Sequence, residues 1–429
     1  MDKVDVIIVG GGLAGLSCAY ELADSGMTVI VLERGDFSGS KNVTGGRIYV
    51  SPIRNYLPDL WKEAPLERHV TKEFITLLGE SNSTTLELYS DRFNQEPYPS
   101  YTILRAKFDR WLADLVSEKG VFVIPQKNVN DLIREGEKVI GVKTEEEEIG
   151  SDCVVASDGI LSFLAEKAGL RKPFQPQHFA LGFKEVISLD PKTIEDRFRL
   201  GEKEGAAQLF VGTLTKGIMG GGFLYTNQES LSIGIVVGIH SLNEREPREE
   251  IYKFLDEFKE RPEIKNLIKG GEVVEYSAHL ISEGGLQIKP KVYGDGILVT
   301  GDAAGLGLNM LVTVRGMEYA MASGVLAGRT IKMAKEKNDF SASTLALYEK
   351  FLNESFIVKE MDNFKNSLSI LENKRLFSKY PQAISNLFEK VMRVDENPKE
   401  GLYKTMWEAV RKDFFNFQTF KDWMQFRKT

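Results

Sequence analysis

The chain has 429 residues, 42% of them hydrophobic and 27% charged, with a formal net charge of -7. That composition belongs to a globular protein long enough for two or three domains, and it excludes a disordered or fibrous chain. The acidic balance leaves no basic face for nucleic acid, and no apolar run reaches the ~18 residues of a membrane span. The N-terminus lacks the basic region of a signal peptide, so the expectation is a cytoplasmic protein, with attachment to a membrane surface left open. Two cysteines, Cys18 and Cys153, are too few for a disulfide scaffold or for an iron–sulfur cluster, and both are expected to be packed and inert. The four histidines suggest neither a metal site nor a catalytic triad.

Residues 4–9 are, apart from Asp5, apolar and β-branched and run into glycine, which reads as a short buried strand. Gly10, Gly12 and Gly15 then match G-x-G-x-x-G. Residues 13–25 have helical spacing at Leu13, Leu16, Ala19, Tyr20 and Ala23, and Gly26 closes that helix. Residues 28–32 form a second strand, ended by Glu33. Each residue type has a mechanical task in this βαβ unit. Gly10 permits the tight turn, Gly12 lets a pyrophosphate approach the backbone, and Gly15 lets the helix pack closely on the strand. The helix N-terminus at Leu13 and Ala14 faces the phosphates with unpaired N–H groups. Glu33 stands where a carboxylate accepts hydrogen bonds from ribose hydroxyls, which favours FAD or NAD over NADP. Arg34 beside it, and Val129 farther along, belong to the same predicted cofactor set.

Downstream, RAKFDRWL at 105–112 opens a helix. Residues 120–142 read as a strand and a hairpin turning at Glu135, Gly136 and Glu137, and 145–148 as a solvated edge. CVVASDGILS at 153–162 is a strand running into Asp158 and Gly159. From 174 to 288 the pattern is that of an antiparallel sheet. It has strands at 179–188 and 207–213, a hairpin over 217–239 turning at 227–230, a helix over 249–261 and a strand over 272–280. YGDGILVTGDAA at 293–304 is a turn, a strand and then Gly301-Asp302, before a helix over 314–335. The chain beyond 341 is helical. Its end, FFNFQTFKDWMQF at 414–426, reads either as a docked helix or as a contact surface for a partner or a membrane.

The Gly301-Asp302 strand end resembles the second fingerprint of FAD-dependent oxidoreductases, and the Asp158-Gly159 and Arg105 segments resemble the hydroxylase-like branch of that superfamily. The resemblance implies FAD, with Asp302 on the ribityl chain and Arg105 near the phosphates. SGSKNVTGGRIY at 38–49 and GDAAGLGLNMLVTVRGMEYAMASG at 301–324 narrow it. They look like FixC-type members of the electron-transfer-flavoprotein:quinone oxidoreductase family. That resemblance implies that Lys41, Asn42, Gly45 and Gly46 lie in the loop over the FAD, and that Gly307, Leu308 and Asn309 lie near the isoalloxazine ring. The implied fold is α/β. It has a discontinuous Rossmann-like FAD-binding domain over 1–173 and 288–340, an antiparallel-sheet quinone or substrate domain over 174–287, and a helical region over 341–429. No side chain is expected to be catalytic and no metal is expected, because the flavin carries the chemistry. The implied partners are a two-subunit electron-transfer flavoprotein of the FixAB kind, a small ferredoxin-like subunit of the FixX kind, a quinone and the cytoplasmic face of a membrane. Electron bifurcation is the implied setting. A quinone is expected between the FAD ring and the antiparallel sheet, with GIMGGGFLY at 217–225 as part of a roomy apolar wall. The alternative reading is a geranylgeranyl reductase-type FAD enzyme that saturates isoprenoid lipids.

Overall fold

Runs of valine and isoleucine without polar alternation form strands buried on both faces, as a parallel sheet requires. The computed structural model describes residues 2–41, 46–173, 175–244, 250–283, 285–310 and 312–427. They divide into two units: Met1–Glu67, Pro97–Phe179 and Leu280–Lys365 in one, and Arg68–Glu96, Ala180–His279 and Asn366–Thr429 in the other.

The first unit is built from β1 (Asp2–Val9), α1 (Leu13–Leu22), β2 (Val29–Leu32), α2 (Arg105–Glu118), β3 (Phe122–Ile124), β4 (Glu148–Ala156), β5 (Ile297–Val299) and α3 (Met317–Glu336). The strands lie in the order β5-β4-β1-β2-β3, every neighbour parallel. Val6 stands opposite both Cys153 and Val29. Val6, Ile7, Ile8, Val154, Val155 and Leu298 are fully buried. The hairpin Val129–Glu135/Lys138–Thr144 pairs antiparallel with the start of β4, where Val142 meets Ile149. The expected α/β architecture is therefore present, assembled from three separated stretches of chain. Cys18 and Cys153 are both buried and free, and burial pushes both thiols well above their ordinary range.

Two element ends differ from the sequence reading for local reasons. The first helix stops at Leu22, because the Ser25 amide and hydroxyl both take the Leu22 carbonyl. Helix α3 starts at Met317 rather than 314, because Val314 and Arg315 are drawn into a two-stranded ribbon with Leu308 and Asn309.

Helices α1 and α3 cross at backbone contact. A Cβ on Gly324 would sit 2.0 Å from the Ala14 carbonyl oxygen, and one on Gly328 would sit 2.8 Å from Glu21 Cγ. Glycines four apart remove the side chains that would hold the helices apart.

In the second unit the strands run in the order Glu272–Ser282, Phe179–Ser188, Ser230–Gly238, Gly220–Thr226, Glu204–Gly212, His69–Leu78, with Ser83–Tyr89 paired to the last. The sheet is not wholly antiparallel. Glu204–Gly212 runs parallel to His69–Leu78, with a register shift at Gly205/Ala206. The hairpin of His69–Leu78 and Ser83–Tyr89 therefore belongs to this unit, not to the first as the sequence boundaries had it. Buried Arg68 ties it in: Nε donates to the Asn227 carbonyl at 2.7 Å and Nη1 to the Glu204 carbonyl at 3.1 Å.

The expected helical region is also divided, at Lys365/Asn366. The helix Lys379–Met392 packs on the hairpin, with Ser385 Oγ donating to the Leu77 carbonyl at 3.1 Å. The final helix, Phe417–Phe426, docks through a polar residue: buried Asp422 accepts from Tyr380 and pairs with Arg375 at 2.9 Å. Its aromatics Phe417, Phe420 and Trp423 are exposed. No helix among the described residues is long and apolar enough to cross a membrane.

Gly324→Ala is expected to lower stability to urea by about 1–3 kcal/mol, because the new methyl meets rigid backbone. Gly401→Ala, in open space with φ -59°, should change it by less than about 0.5 kcal/mol.

Candidate functional site

In open α/β sheets ligands bind beyond the carboxyl ends of the strands, where helix N-termini point outward. Here those ends are locked side by side. Gly10 N donates to the Leu32 carbonyl, Ser157 N to Val9 and Glu33 N to Ile124, each at 2.9 Å, and Thr300 N to Ala156 at 3.0 Å. Gly10, Glu33, Asp158 and Gly301 are thereby brought to one edge.

Gly10 has φ +108°, and a Cβ there would lie 2.3 Å from the Ser157 carbonyl oxygen. A Cβ on Gly15 would lie 2.1 Å from the Gly10 carbonyl oxygen. Only glycine fits either position. Helix α1 has no side-chain cap at Gly12 and no acid in its first turn. The N–H groups at Gly12, Leu13 and Ala14 therefore form an uncompensated positive end. Leu13 and Ala14 bury their side chains and offer only backbone.

Glu33 is half-buried and accepts from Gly11 N at 2.7 Å and Gly35 N at 2.6 Å, which fixes the carboxylate while each oxygen keeps a lone pair. Ser38, missed by the sequence reading, adds a buried hydroxyl with no partner among the described residues. Its Oγ lies 2.4 Å from where a Gly11 Cβ would be. An unpaired buried hydroxyl beside bare backbone, a fixed carboxylate and a free helix end fits a dinucleotide. Val129 lies close by, since Lys127 N donates to the Glu33 carbonyl at 2.8 Å. Arg34 and Lys41 are exposed. Gly46, at φ +99°, accepts from Ile103 N at 2.7 Å, while Asn42 and Gly45 lie outside the described residues.

Gly301, at φ +61°, sits over α1: its Cβ would be 2.7 Å from Ala14 Cβ, and its amide donates to Ser323 Oγ at 2.9 Å. Asp302 is exposed beside it and within the electrostatic reach of Arg105. The Arg105 guanidinium is held in a two-point pair by fully buried Asp109, at 2.7 and 2.6 Å. Burial works against its charge, but Asp109 outweighs that and raises its pKa above the ordinary value.

Asp158, read from the sequence toward the cofactor, also has a local task. Its carboxylate accepts from Ser162 Oγ at 2.7 Å and Leu164 N at 3.1 Å, so it serves the start of the helix Phe163–Lys167. Burial raises its pKa, and these bonds only partly offset that. Gly159, at φ +80°, has open space around it.

Gly307 leads into the ribbon in which Leu308 faces Arg315 and Asn309 faces Val314. Arg315 is buried and joined to Glu318 and to Glu360 Oε2 at 2.9 Å, and Tyr319 donates to the same Glu360 oxygen at 2.7 Å. Its guanidinium lies 5.2 Å from the Tyr49 ring and 5.1 Å from the Tyr319 ring. The sequence reading missed this cluster; the only signal was an arginine between apolar residues. It also missed Glu283, whose buried carboxyl is hydrogen-bonded by Asn309 and pushed by burial up to about 7.

The glycines at 220–222 are not a roomy wall. Gly220 has φ +151° with a Cβ position 2.2 Å from the Val236 carbonyl oxygen, and a Gly222 Cβ would meet Phe258 at 2.8 Å.

Comparison with known proteins adds to this geometry. Residues 5–95 match the family model "FAD dependent oxidoreductase", 179–281 match "ETF-QO, ubiquinone-binding", and 368–429 match "ETF-QO/FixC family C-terminal domain". The chain is 40% identical over 411 residues to Escherichia coli K12 "Probable electron transfer flavoprotein-quinone oxidoreductase YdiS", covering 96% of this chain and 95% of that one. It is also 40% identical over 404 residues to FixC of Azorhizobium caulinodans, covering 93% and 92%. The solved structure of a geranylgeranyl bacteriochlorophyll reductase-like protein from Thermoplasma acidophilum shares the fold, with a TM-score of 0.73 at 21% identity over 97% of this chain and 98% of that one.

Asp158→Ala is expected to cost roughly 1–2 kcal/mol of stability through the lost cap. The flavin content per folded molecule should stay unchanged, as measured by absorbance after gel filtration.

Proposed function

The chain belongs to the ETF-QO/FixC family of FAD-dependent oxidoreductases, and on that premise we propose that it carries electrons from a two-subunit electron-transfer flavoprotein to a quinone. The observation that carries this reading is the glycine-and-carboxylate edge at Gly10, Gly15 and Glu33 in a chain that also matches a ubiquinone-binding family model over 179–281. FAD, when bound, supplies the two-electron chemistry. The residues supply position. The amides of Gly12, Leu13 and Ala14 hold the pyrophosphate. Glu33 and Ser38 take hydroxyl groups of the adenosine end, and Val129 borders it. Asp302 meets the ribityl chain, with Arg105 balancing charge near the phosphates. Gly46 belongs to the loop over the cofactor, and Gly307, Leu308 and Asn309 border the ring.

The reading extends to an assembly in which a small ferredoxin-like subunit also receives electrons, so that one donor feeds two acceptors at the cytoplasmic face of a membrane. A lipid-saturating activity has only the shared fold behind it, at 21% identity against 40% for FixC.

The direct assay mixes the FAD-loaded protein anaerobically with reduced electron-transfer flavoprotein and a menaquinone analogue. Quinol in proportion to the donor is expected; no quinol despite full FAD loading would overturn the proposal. Glu33→Gln removes a charged acceptor. Such hydrogen bonds contribute about 1.5–3 kcal/mol, so FAD affinity should fall roughly 10- to 100-fold in equilibrium dialysis.

A further inference from the structure

Glu283 is 4% exposed, and its amide donates to the His178 carbonyl at 2.9 Å, which fixes its backbone. Asn309 hydrogen-bonds its carboxyl, yet among the described residues Oε2 finds no partner. The neighbouring Ser282 hydroxyl is buried and unpartnered among the same residues. Ser282 packs directly on the ribbon: its carbonyl oxygen lies 3.5 Å, and its Cβ 3.6 Å, from where a Gly307 Cβ would be. A carboxyl is thus sealed against the ribbon with one oxygen engaged and one left over.

Among the described residues no ion pair compensates it. His178, on the segment Pro176–His178, has its pKa lowered by burial, which disfavours its charged form. Arg315, on the opposite strand of the ribbon, is committed to Glu318 and Glu360. Ser282, on its own strand, carries no charge. Burial alone drives the carboxyl toward its neutral form, while the Asn309 bond pulls the other way.

We propose that Glu283 takes up one proton when the adjoining redox site is reduced and releases it on reoxidation, and that this proton sets which end of the Asn309 amide faces the redox site. The proposal rests on the reading above that Gly307, Leu308 and Asn309 border the flavin ring. A protonated Glu283 donates to Asn309 Oδ1, which turns the amide N–H outward. An ionised Glu283 accepts from Nδ2, which turns the oxygen outward. Two electrons arriving from the donor add negative charge nearby and favour the neutral carboxyl. The proton comes from solvent, and the redox site keeps its own proton stoichiometry. When the acceptor withdraws the two electrons, the Glu283 proton returns to solvent. Glu283 is thus a positioning residue that acts through Asn309.

The test is a spectroelectrochemical titration of the FAD-loaded full chain on both sides of neutrality. The wild-type midpoint potential is expected to fall more steeply above about pH 7, the value to which the carboxyl is pushed. Below that pH Glu283 is protonated in both redox states and adds no slope. E283Q should bind FAD and lose the break; E283D should keep it at a shifted pH. A reduced-minus-oxidised infrared spectrum of the wild type should show a protonated carboxyl appearing above pH 7. An unchanged break in E283Q, or a wild-type spectrum without that carboxyl, would overturn the proposal. Neither measurement uses the protein partner or a quinone, so both stand apart from a failure of the electron-transfer reading.

Discussion

A methyl group at Gly324 would lie 2.0 Å from the carbonyl oxygen of Ala14. That contact between two helix backbones is the constraint on which the first unit depends. It brings the return helix onto α1, places Gly301 over Ala14, and leaves the first turn of α1 pointing past the sheet edge with its N–H groups unspent. The parallel strands supply the complementary part. Their last carbonyls are taken by Gly10, Glu33, Ser157 and Thr300, so the loops that emerge start from fixed points. A cofactor with a negative centre and hydroxyl-bearing arms meets a positive helix end flanked by a fixed carboxylate.

Around the ribbon at 308–315 the organisation differs. Charge there is concentrated and buried: Arg315 is shared by Glu318 and Glu360 and lies against the Tyr49 and Tyr319 rings. Removing one partner from such a cluster strands the other charges, so its geometry is held tightly. Glu283, hydrogen-bonded by Asn309 of the same ribbon, has no such ion pair among the described residues. The ribbon is therefore bordered both by a paired charge cluster and by a carboxyl that burial drives toward its neutral form.

The glycine fingerprint, Glu33 and the Gly301-Asp302 turn were legible in the sequence because each is dictated by chemistry local to a few residues. The strand Phe179–Ser188 and the hairpin turn at Asn227 followed from apolar runs and turn residues in the same way. What was not legible depends on partners far along the chain. The parallel pairing of Glu204–Gly212 with His69–Leu78 has no local signature, so residues 69–89 were not read as a hairpin and fell inside the first boundaries drawn. Asp158 was read only toward the cofactor, whereas Ser162 and Leu164 also bond its oxygens. The glycines at 220–222 looked like space, but Val236 and Phe258 fill it. The tail read either as a docked helix or as a contact surface; the docking is made by buried Asp422, which the apolar pattern did not announce, and the aromatics face out. Ser38 and Glu283 are single polar residues whose importance comes only from burial, which a sequence does not display.

The central claim is that the adenine dinucleotide lies along the carboxyl edge of the parallel sheet, its pyrophosphate on the amides that open α1. Hydrogen–deuterium exchange of the full chain with and without FAD measures this residue by residue. The account predicts slowed exchange concentrated at residues 10–16, 33–38 and 301–309, with the second unit's sheet core unchanged. Full FAD occupancy with unaltered exchange at 10–16 would contradict it.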